Sequence, residues 1–222
     1  MVEVGGRQIE TVAIVDDDPA SRATLAMCVD DSPVSSLAVD GPLADVEAAH
    51  RMIELEAQGC ICDHQLQAHG PYALFSGAAL AAWNNRHDLP SVLCTRFLST
   101  DAQMLLIRGF LKDLPVLRRP EQLEEPEDIL EALDDCVSEL IGTFRPERRS
   151  WRTQVVVEQR DRSDRTISVS LPAWQVDDPI RVRIDDVPSS LRDDLKIGYR
   201  MFARANIGAT QPELLYIDWQ AE

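Results

Sequence analysis

The chain has 222 residues, 45% of them hydrophobic, and its 38 acidic and 22 basic residues leave a net charge of −16. This length and composition indicate a globular protein with room for one large or two small domains, and they exclude a disordered chain. Residues 1–150 hold 26 of the acidic residues and only 12 of the basic ones. An acidic surface repels phosphate backbones, so nucleic acid is not expected to bind this part.

Targeting signals and cysteines bear on the compartment. No apolar run is long enough to span a membrane, and the polar residues 1–10 do not look like a signal peptide, so we expect a soluble, cytoplasmic protein. The cysteines form no CxxC motif, which predicts reduced core residues, with metal ligation as the alternative. They are Cys28, Cys60, Cys62, Cys94 and Cys136.

The stretch TVAIVDDDPASR, residues 11–22, joins an apolar run to three consecutive carboxylates. The run predicts a buried parallel strand, and Asp18 can cap a helix that opens at Pro19. Asp16 and Asp17 then lie at the carboxyl end of a strand, which is the edge of an open α/β sheet where ligands bind. Carboxylates crowded there favour a hard cation such as Mg2+. An acidic helix start that only caps and solubilises is an equal alternative.

The first part of the chain alternates five predicted strands with five predicted helices. The strands are predicted at about Glu10–Asp16, Val34–Val39, Gly59–Asp63, Ser91–Thr95 and Leu114–Arg118. The helices are predicted at about Pro19–Asp30, Leu43–Ala57, Ala73–Arg86, Ser99–Leu111 and Pro126–Ile141. This (βα)5 pattern predicts a flavodoxin-like α/β fold with a doubly wound parallel sheet of order 2-1-3-4-5.

Residues 151–222 have the pattern of a second, all-β domain. Five β-rich runs predict a small antiparallel barrel or sandwich. They are about Gln154–Gln159, Thr166–Leu171, Ile180–Ile184, Tyr199–Ile207 and Leu214–Trp219. The predicted organisation is a lead-in at residues 1–9, an α/β domain at 10–143, a linker at 144–150 and the β domain at 151–222. Arginines of the β domain are interspersed with aspartates, which favours a solvated mixed-charge face over a nucleic-acid site.

Four short motifs follow one another at the ends of the predicted strands. They are IVDDDPASR at the first strand, CDHQL at the third, LCT at the fourth and RRP at the fifth. Together they resemble the receiver domain of bacterial response regulators, over about residues 10–143. The resemblance implies a bacterial cytoplasmic protein in which a partner histidine transfers a phosphoryl group to an aspartate.

The resemblance assigns a role to each strand end. Asp63 matches the phospho-acceptor, and Asp16 and Asp17 match the pair that binds Mg2+. Asp63 and the backbone carbonyl of Gln65 would complete the metal site. Thr95 matches the hydroxyl residue that hydrogen-bonds the phosphoryl group. A carboxylate that attacks a phosphoryl group needs such charge relief, because catalysis here is mostly positioning and electrostatics.

Two arginines depart from the family's pattern. Arg119 stands where the family has a lysine before a proline, and as the candidate catalytic cation it keeps the charge in a bulkier, bidentate form. Arg96 replaces a small residue after Thr95. We expect both cations to lie near Asp63 and to reduce the difference between the resting and phosphorylated states.

Three functions remain open. The first is a phosphorelay signalling protein, with a receiver phosphorylated on Asp63 and a non-DNA-binding β output that binds protein. The second is a phosphorylation-independent adaptor, and the third and least favoured is a nucleic-acid-binding tail. The implied partners are proteins such as a histidine kinase or phosphotransfer protein, with homodimer formation open and no membrane. No enzyme activity is expected beyond autophosphorylation and self-dephosphorylation of the receiver aspartate.

Overall fold

The structure is a computed structural model that describes residues 1–96, 98, 100–174 and 179–219. The chain divides into two compact units. The first comprises Met1–Arg96 and Asp113–Thr143, and the second comprises the described parts of Phe97–Lys112 and Phe144–Glu222. Among the helices described, none has both the length and the apolar character needed to cross a membrane.

The first unit is built on a parallel sheet. Two antiparallel strands open the chain, β1 (Val2–Val4) and β2 (Arg7–Ile9). The parallel strands are β3 (Thr11–Val15), β4 (Ser35–Ala38), β5 (Gly59–Asp63), β6 (Ser91–Cys94) and β7 (Leu117–Arg118). They pair in the order β4-β3-β5-β6-β7. Counted within this sheet, the order is 2-1-3-4-5, which confirms the predicted flavodoxin-like fold.

Five helices alternate with these strands. They are α1 (Pro19–Asp30), α2 (Val46–Glu54), α3 (Gly77–Arg86), α4 (Asp101–Ile107) and α5 (Pro126–Leu140). The first three begin after Asp18, Asp45 and Ser76, because each of these side chains accepts a hydrogen bond from a backbone N–H of the first turn. A 3-10 helix, Arg108–Asp113, continues α4.

Helices α2 and α3 begin later than the sequence pattern predicts, and the predicted start of α4 at Ser99 lies outside the described residues. Helix α2 begins at Val46 rather than Leu43, because Leu43 pairs with Ala73 in a parallel bridge and donates its N–H to Tyr72 O at 2.7 Å. The same bridge holds Ala73 outside α3, which therefore begins at Gly77. The loop between β5 and α3 is thus attached to the chain before α2 instead of being wound into a helix.

The first nine residues are ordered, in contrast to the predicted loose lead-in. Strands β1 and β2 form a hairpin whose Val4 and Ile9 are 4% and 0% exposed and belong to the core of the first unit. Gly5 turns the hairpin with φ +55°, close to Val137 of α5. The apolar alternation of these strands is too short to distinguish a hairpin from an extended terminus by sequence.

The second unit contains an antiparallel sheet. Its elements are β8 (Trp151–Asp161), β9 (Thr166–Ser170), β10 (Ile180–Arg183), the short helix α6 (Ser189–Arg192), β11 (Arg200–Ala205) and β12 (Ile217–Asp218). The strand order β10-β9-β8-β11-β12 forms an open half-barrel with a bulge between Val157 and Gln159. The predicted five-stranded antiparallel sheet is confirmed, although the second unit also contains the helix α6. Alternate residues of β11, Met201, Ala203 and Ala205, enter one apolar core.

Helix α4 belongs to the second unit, although the predicted α/β domain included it. The Arg108 guanidinium donates to Pro212 O and Leu215 O, both at 2.9 Å. Lys112 Nζ lies 2.9 Å from Asp218 Oδ2. Gly109 packs so closely on Asp186 that an added Cβ would lie 2.7 Å from its Oδ1.

The predicted linker at 144–150 is also packed into the second unit. It contains a 3-10 helix, Pro146–Arg148, and Arg148 is 6% exposed. The Arg148 guanidinium donates to Leu111 O at 2.9 Å and lies 4.9 Å from the centroid of the Tyr216 ring. A run of charged residues around a proline suggests a solvated linker, but here the arginine hydrogen-bonds carbonyls and stacks on an aromatic ring.

Candidate functional site

Three carboxylates converge at the carboxyl edge of the parallel sheet. Asp16 and Asp17 follow β3, and Asp63 ends β5, which pairs directly with β3. One oxygen from each carboxylate lies within 4.8 Å of the other two. Asp17 is 6% exposed, and Asp16 and Asp63 are half-buried. The structure thus brings together the three side chains that the sequence assigns to a metal site.

The turn into α1 fixes the first two carboxylates. The Asp18 N–H donates to Asp16 Oδ1 at 2.8 Å, while the Asp18 side chain caps the helix by accepting from Ala20 N and Ser21 Oγ. These hydrogen bonds lower the pKa of Asp18, which stays ionised. Of the three aspartates that follow the strand, Asp16 and Asp17 therefore lie at the sheet edge, and Asp18 caps the helix.

The Arg22 side chain, further along α1, hydrogen-bonds the segment that joins β3 to this helix. Its Nη1 donates to the Asp16 carbonyl oxygen at 2.6 Å and its Nη2 to Asp40 Oδ1 at 3.0 Å. Its guanidinium carbon lies 5.7 Å from the centroid of the Tyr72 ring. Sequence reasoning missed this residue. Its position six residues after Asp16 on a helix was the only available signal, because the contacts to Asp40 and Tyr72 are long-range.

Asp63 is held in an unfavourable charge environment. The Gln65 N–H donates to Asp63 Oδ2 at 2.7 Å. Burial and, after it, the neighbouring Asp16 carboxylate raise the pKa of Asp63 to about 7, although the N–H donors of Gln65 and His64 act in the opposite direction. Burial likewise raises the pKa of Asp16. A cation between the carboxylates would remove this repulsion.

Comparisons with known proteins give structural likenesses only. No family model matches the chain, and no curated protein sequence does. The signal receiver domain of the putative response regulator NarL from Mycobacterium tuberculosis matches with 18% identity and a TM-score of 0.39, over 60% of this chain and 98% of that one. RcsB from Salmonella enterica serovar Typhimurium, solved bound to the promoter P1flhDC in the presence of phosphomimetic BeF3-, matches with 18% identity and a TM-score of 0.40. That match covers 60% of this chain and 64% of RcsB.

The strand order of the sheet decides the fold. The first unit is flavodoxin-like, which is the fold class that includes receiver domains. We call Met1–Arg96 with Asp113–Thr143 the α/β unit from here on. The residues that the resemblance singles out can now be placed within it.

Thr95 is the residue to which the resemblance in the sequence assigns the hydroxyl role. It follows β6, is 0% exposed, and donates its N–H to Arg118 O at 2.9 Å on the neighbouring strand. Arg119 follows β7 as an exposed residue, and its N–H donates to Gln122 Oε1 at 2.9 Å. Arg96 is exposed. Burial raises the pKa of Cys94 to about 12, and the Arg96 charge acts against this shift. The pKa of Asp63 is set chiefly by burial, then by the Asp16 carboxylate, the backbone N–H donors and the Asp17 carboxylate.

Gly77 is a site residue that sequence reasoning did not assign. A Cβ on Gly77 would collide with the carbonyl oxygen of Asp63 and lie 2.7 Å from Cys62 Sγ. The Gly77 N–H donates to His64 O at 3.0 Å, which ties the start of α3 to the residue after Asp63. The signal that the sequence offers is the glycine at the start of the predicted helix. Ser76 before it can cap the helix by itself, so capping does not require a glycine at position 77.

His69 approaches the acidic group from the long loop of the α/β unit between β5 and α3. Its backbone N–H donates to Asp17 Oδ2 at 2.6 Å, and its imidazole Nδ1 lies 3.6 Å from Asp17 Oδ1. The imidazole is 58% exposed. The backbone N–H gives Asp17 a hydrogen-bond donor that needs no metal ion, and no sequence pattern predicts this long-range contact.

The donor set of this edge fits a hard divalent cation. Three carboxylates in reach of one another supply only oxygen ligands, and Mg2+ and similar ions prefer oxygen. The raised pKa values of Asp16 and Asp63 record the electrostatic cost that such an ion would relieve. Asp16, Asp17 and Asp63 are therefore the residues that would hold it.

Proposed function

We propose that this chain is a two-component signalling protein, whose α/β unit acts as a receiver and accepts a phosphoryl group on Asp63. The observation that carries the proposal is the group of three carboxylates at the edge of a receiver-type sheet, with the pKa of Asp63 raised to about 7. A carboxylate of raised pKa is a stronger nucleophile than an ordinary aspartate, provided that it is ionised when it reacts.

Each residue of the site has a defined task in this proposal. Asp16, Asp17, Asp63 and the backbone carbonyl of Gln65 would hold Mg2+, which neutralises charge on the phosphoryl oxygens. An Asp63 oxygen attacks the phosphorus of the donor, the bond from phosphorus to the leaving group breaks, and the leaving group carries away the electron pair and takes up a proton. The Thr95 hydroxyl, at the end of the next strand, hydrogen-bonds the new phosphoryl oxygens.

Arg119 is the candidate second cation. It follows β7 and is exposed, so its guanidinium is accessible to a phosphoryl group that arrives at the same sheet edge. A guanidinium can bind two phosphoryl oxygens at once, whereas an ammonium acts as a point charge. We assign it the role of stabilising the charge that develops during transfer.

Phosphorylation of the full chain by a small phosphodonor tests this function. The protein is incubated with Mg2+ and acetyl phosphate, and its intact mass is measured. We expect the mass of one added phosphoryl group in the wild type and in Asp18→Asn, because asparagine also caps helices. The Asp63→Asn variant should gain none. An unmodified wild type, or equal modification of Asp63→Asn, would contradict the proposal.

A second candidate is a phosphorylation-independent adaptor, and the loop contact at Asp17 favours it. The hydrogen bond from His69 N–H at 2.6 Å and the nearby imidazole satisfy part of this carboxylate without metal. A protein of this kind would bind its partner equally well with and without phosphodonor. Partner capture by the wild type and by Asp63→Asn, each with and without acetyl phosphate, separates the two candidates.

The second unit is the proposed output. Its antiparallel sheet is of the kind that binds proteins or oligonucleotides, and we assign it protein binding because its arginines pair with aspartates, as Arg165 does with Asp185 and Arg183 with Asp186. A histidine kinase or phosphotransfer protein is the proposed source of the phosphoryl group, and the cytoplasm of a bacterium is the proposed compartment.

A further inference from the structure

His69 makes two separate approaches to Asp17, and they involve different oxygens of the carboxylate. The backbone N–H donates to Oδ2 at 2.6 Å, while the imidazole Nδ1 lies 3.6 Å from Oδ1. The Asp17 side chain is 3% exposed and the imidazole is 58% exposed. The backbone contact therefore fixes where the histidine stands, and the ring adjoins the second oxygen of a buried carboxylate.

The distance between the imidazole nitrogen and Asp17 Oδ1 suits a shared cation better than a direct contact. A hydrogen bond from nitrogen to oxygen is about 2.7–3.2 Å long, and a charge-assisted one is about 2.7–2.9 Å long, so 3.6 Å is too long for either. Two ligand atoms held by one cation at about 2.1 Å lie about 3.0 Å apart at right angles and about 4.2 Å apart when opposite. The observed distance falls between these limits.

The imidazole adjoins the acidic site on the Asp17 side. The carboxylates that lie within 4.8 Å of one another are those of Asp16, Asp17 and Asp63, so His69 is near one member of this group rather than all three. An exposed side chain changes rotamer readily. A cation bound to Asp17 Oδ1 is therefore within reach of the ring, and Asp16 and Asp63 meet the same cation from the sheet edge.

We propose that His69 supplies an imidazole nitrogen to the cation held by Asp17, so that the site prefers a first-row transition ion such as Co2+, Ni2+ or Zn2+ to Mg2+. Mg2+ favours oxygen ligands and gives up its water reluctantly, whereas imidazole is a good ligand for transition ions. The inference names the class of metal. It rests on metal binding by these carboxylates, which is part of the proposed function, but not on phosphoryl transfer to Asp63.

A positively charged imidazole that only neutralises the carboxylates is the alternative role of His69. Hydrogen bonds from Ser21 and Ala20 lower the pKa of Asp18, and the charge of His69 acts in the same direction. The two roles predict opposite effects when the ring is removed. A ligand strengthens the binding of ions that accept imidazole, whereas a fixed positive charge weakens the binding of every cation.

Metal titration of the full chain without phosphodonor tests the inference. Tag-free wild type, His69→Ala and His87→Ala are titrated with Ni2+ and with Mg2+ by isothermal titration calorimetry. His87→Ala is the matched control, because it removes another exposed imidazole, at the end of α3. X-ray absorption of the bound Ni2+ detects a coordinated imidazole by scattering from its ring atoms. Thermal unfolding of each variant confirms that it folds.

We expect wild type to bind Ni2+ at least about tenfold more tightly than Mg2+. His69→Ala should lose at least about tenfold in Ni2+ affinity and less than about twofold in Mg2+ affinity, and its bound Ni2+ should lack the ring scattering. His87→Ala should match wild type with both ions. Unchanged Ni2+ affinity in His69→Ala, equal losses for both ions, or a gain for both would overturn the inference. Bound Ni2+ without imidazole scattering in wild type would also overturn it.

The titrations and the phosphorylation assay fail separately. Phosphorylation of Asp63 is measured as added mass with Mg2+ and acetyl phosphate, and it can succeed whether or not His69 binds a metal. Mg2+ and Ni2+ affinities that are the same in wild type and His69→Ala would overturn the inference and leave the proposed function standing. Absence of any metal binding by wild type would contradict this inference together with the metal site of the proposed function.

Discussion

Asp63 illustrates how a residue can be structurally costly and functionally useful. Its carboxylate is partly removed from water and lies next to Asp16, and the backbone N–H groups of Gln65 and His64 offset part of these penalties. The folded-state pKa of about 7 lies above the ordinary value of 3.8. The folded chain therefore holds a proton that the unfolded chain has already lost between these pH values. Its free energy of unfolding must fall as the pH rises through this range.

This linkage gives a first prediction about pH and Mg2+. Without Mg2+, thermal unfolding should occur at a lower temperature at about pH 8 than at about pH 5.5, as far as Asp63 is concerned. Mg2+ should raise the unfolding temperature more at the higher pH, because the ion competes with the proton for the same oxygens. Differential scanning calorimetry at both pH values, with and without Mg2+, measures this.

The Asp63→Asn variant is the control for that linkage. It removes the charge and keeps the shape, so we expect stabilisation by about 1–3 kcal/mol at about pH 8 without Mg2+. Its response to Mg2+ should largely disappear. A variant that is less stable than wild type at this pH, or that keeps the full Mg2+ response, would contradict the assignment of Asp63 to the metal site.

Gly77 gives a second prediction at the same scale. Gly77→Ala places a methyl group against the Asp63 carbonyl oxygen, so backbone must move, and we expect a loss of about 2–4 kcal/mol of unfolding free energy. Gly142→Ala is the comparison, since nothing lies within 4 Å of its added Cβ and only its φ of +86° opposes the change. That variant should lose about 1 kcal/mol. Chemical denaturation measures both, and equal losses would argue against a close approach at Gly77.

At the scale of elements, the sequence position and the packing of helix α4 point to different units. Along the chain it lies between two strands of the parallel sheet, yet it belongs to the second unit, as do Arg108, Gly109 and Lys112 of the 3-10 helix that continues it. Burial lowers the pKa of Arg108 without removing its charge. Its two carbonyl acceptors compensate for the lost water.

A third prediction follows for Arg108. Arg108→Met keeps the apolar length but leaves the carbonyls of Pro212 and Leu215 without this donor, which should cost about 1–3 kcal/mol. The loss should appear in the near-ultraviolet circular dichroism of the tryptophans in the second unit. The comparison is Arg51→Met, which breaks an exposed pair with Glu47 and should cost at most about 0.5 kcal/mol. Similar effects of both variants would indicate that Arg108 is not buried as described.

The difference between local patterns and long-range contacts decides how much of the structure the sequence predicts. Apolar runs ending in Asp16, Asp17 and Asp63 were enough to predict the parallel sheet, its order and the convergence of the carboxylates, because strand ends of a parallel sheet share one edge. The attachment of α4 to the second unit could not be predicted. It depends on contacts such as that of Arg108 with Leu215, which are more than a hundred residues apart in the chain. The contact of His69 with Asp17 is long-range in the same way.

At the scale of the whole molecule, the chain passes between the two units three times, near residues 96, 112 and 143. Residues 144–222 therefore do not contain all of the second unit. A fragment of these residues lacks the contacts of Arg148 with Leu111 and of Asp218 with Lys112. Its core would be exposed where α4 normally packs.

This interlacing gives a fourth prediction. The fragment 144–222 should unfold without a cooperative transition, or at a temperature at least about 10 °C below that of the second unit in the full chain. Thermal scans monitored by tryptophan fluorescence measure this, with the full chain as the reference. A fragment that melts cooperatively at the temperature of the full chain would show that α4 is dispensable to the second unit.

The passage of α4 into the second unit also has an evolutionary consequence. A single recombination event joins one gene segment to another at one point, and it can exchange a domain only where all of that domain lies on one side of the joint. Here a joint near residue 143 would leave one helix of the second unit behind with the first unit. The two units should therefore be inherited and vary as a pair, so that relatives with the same first unit and a foreign second unit are not expected.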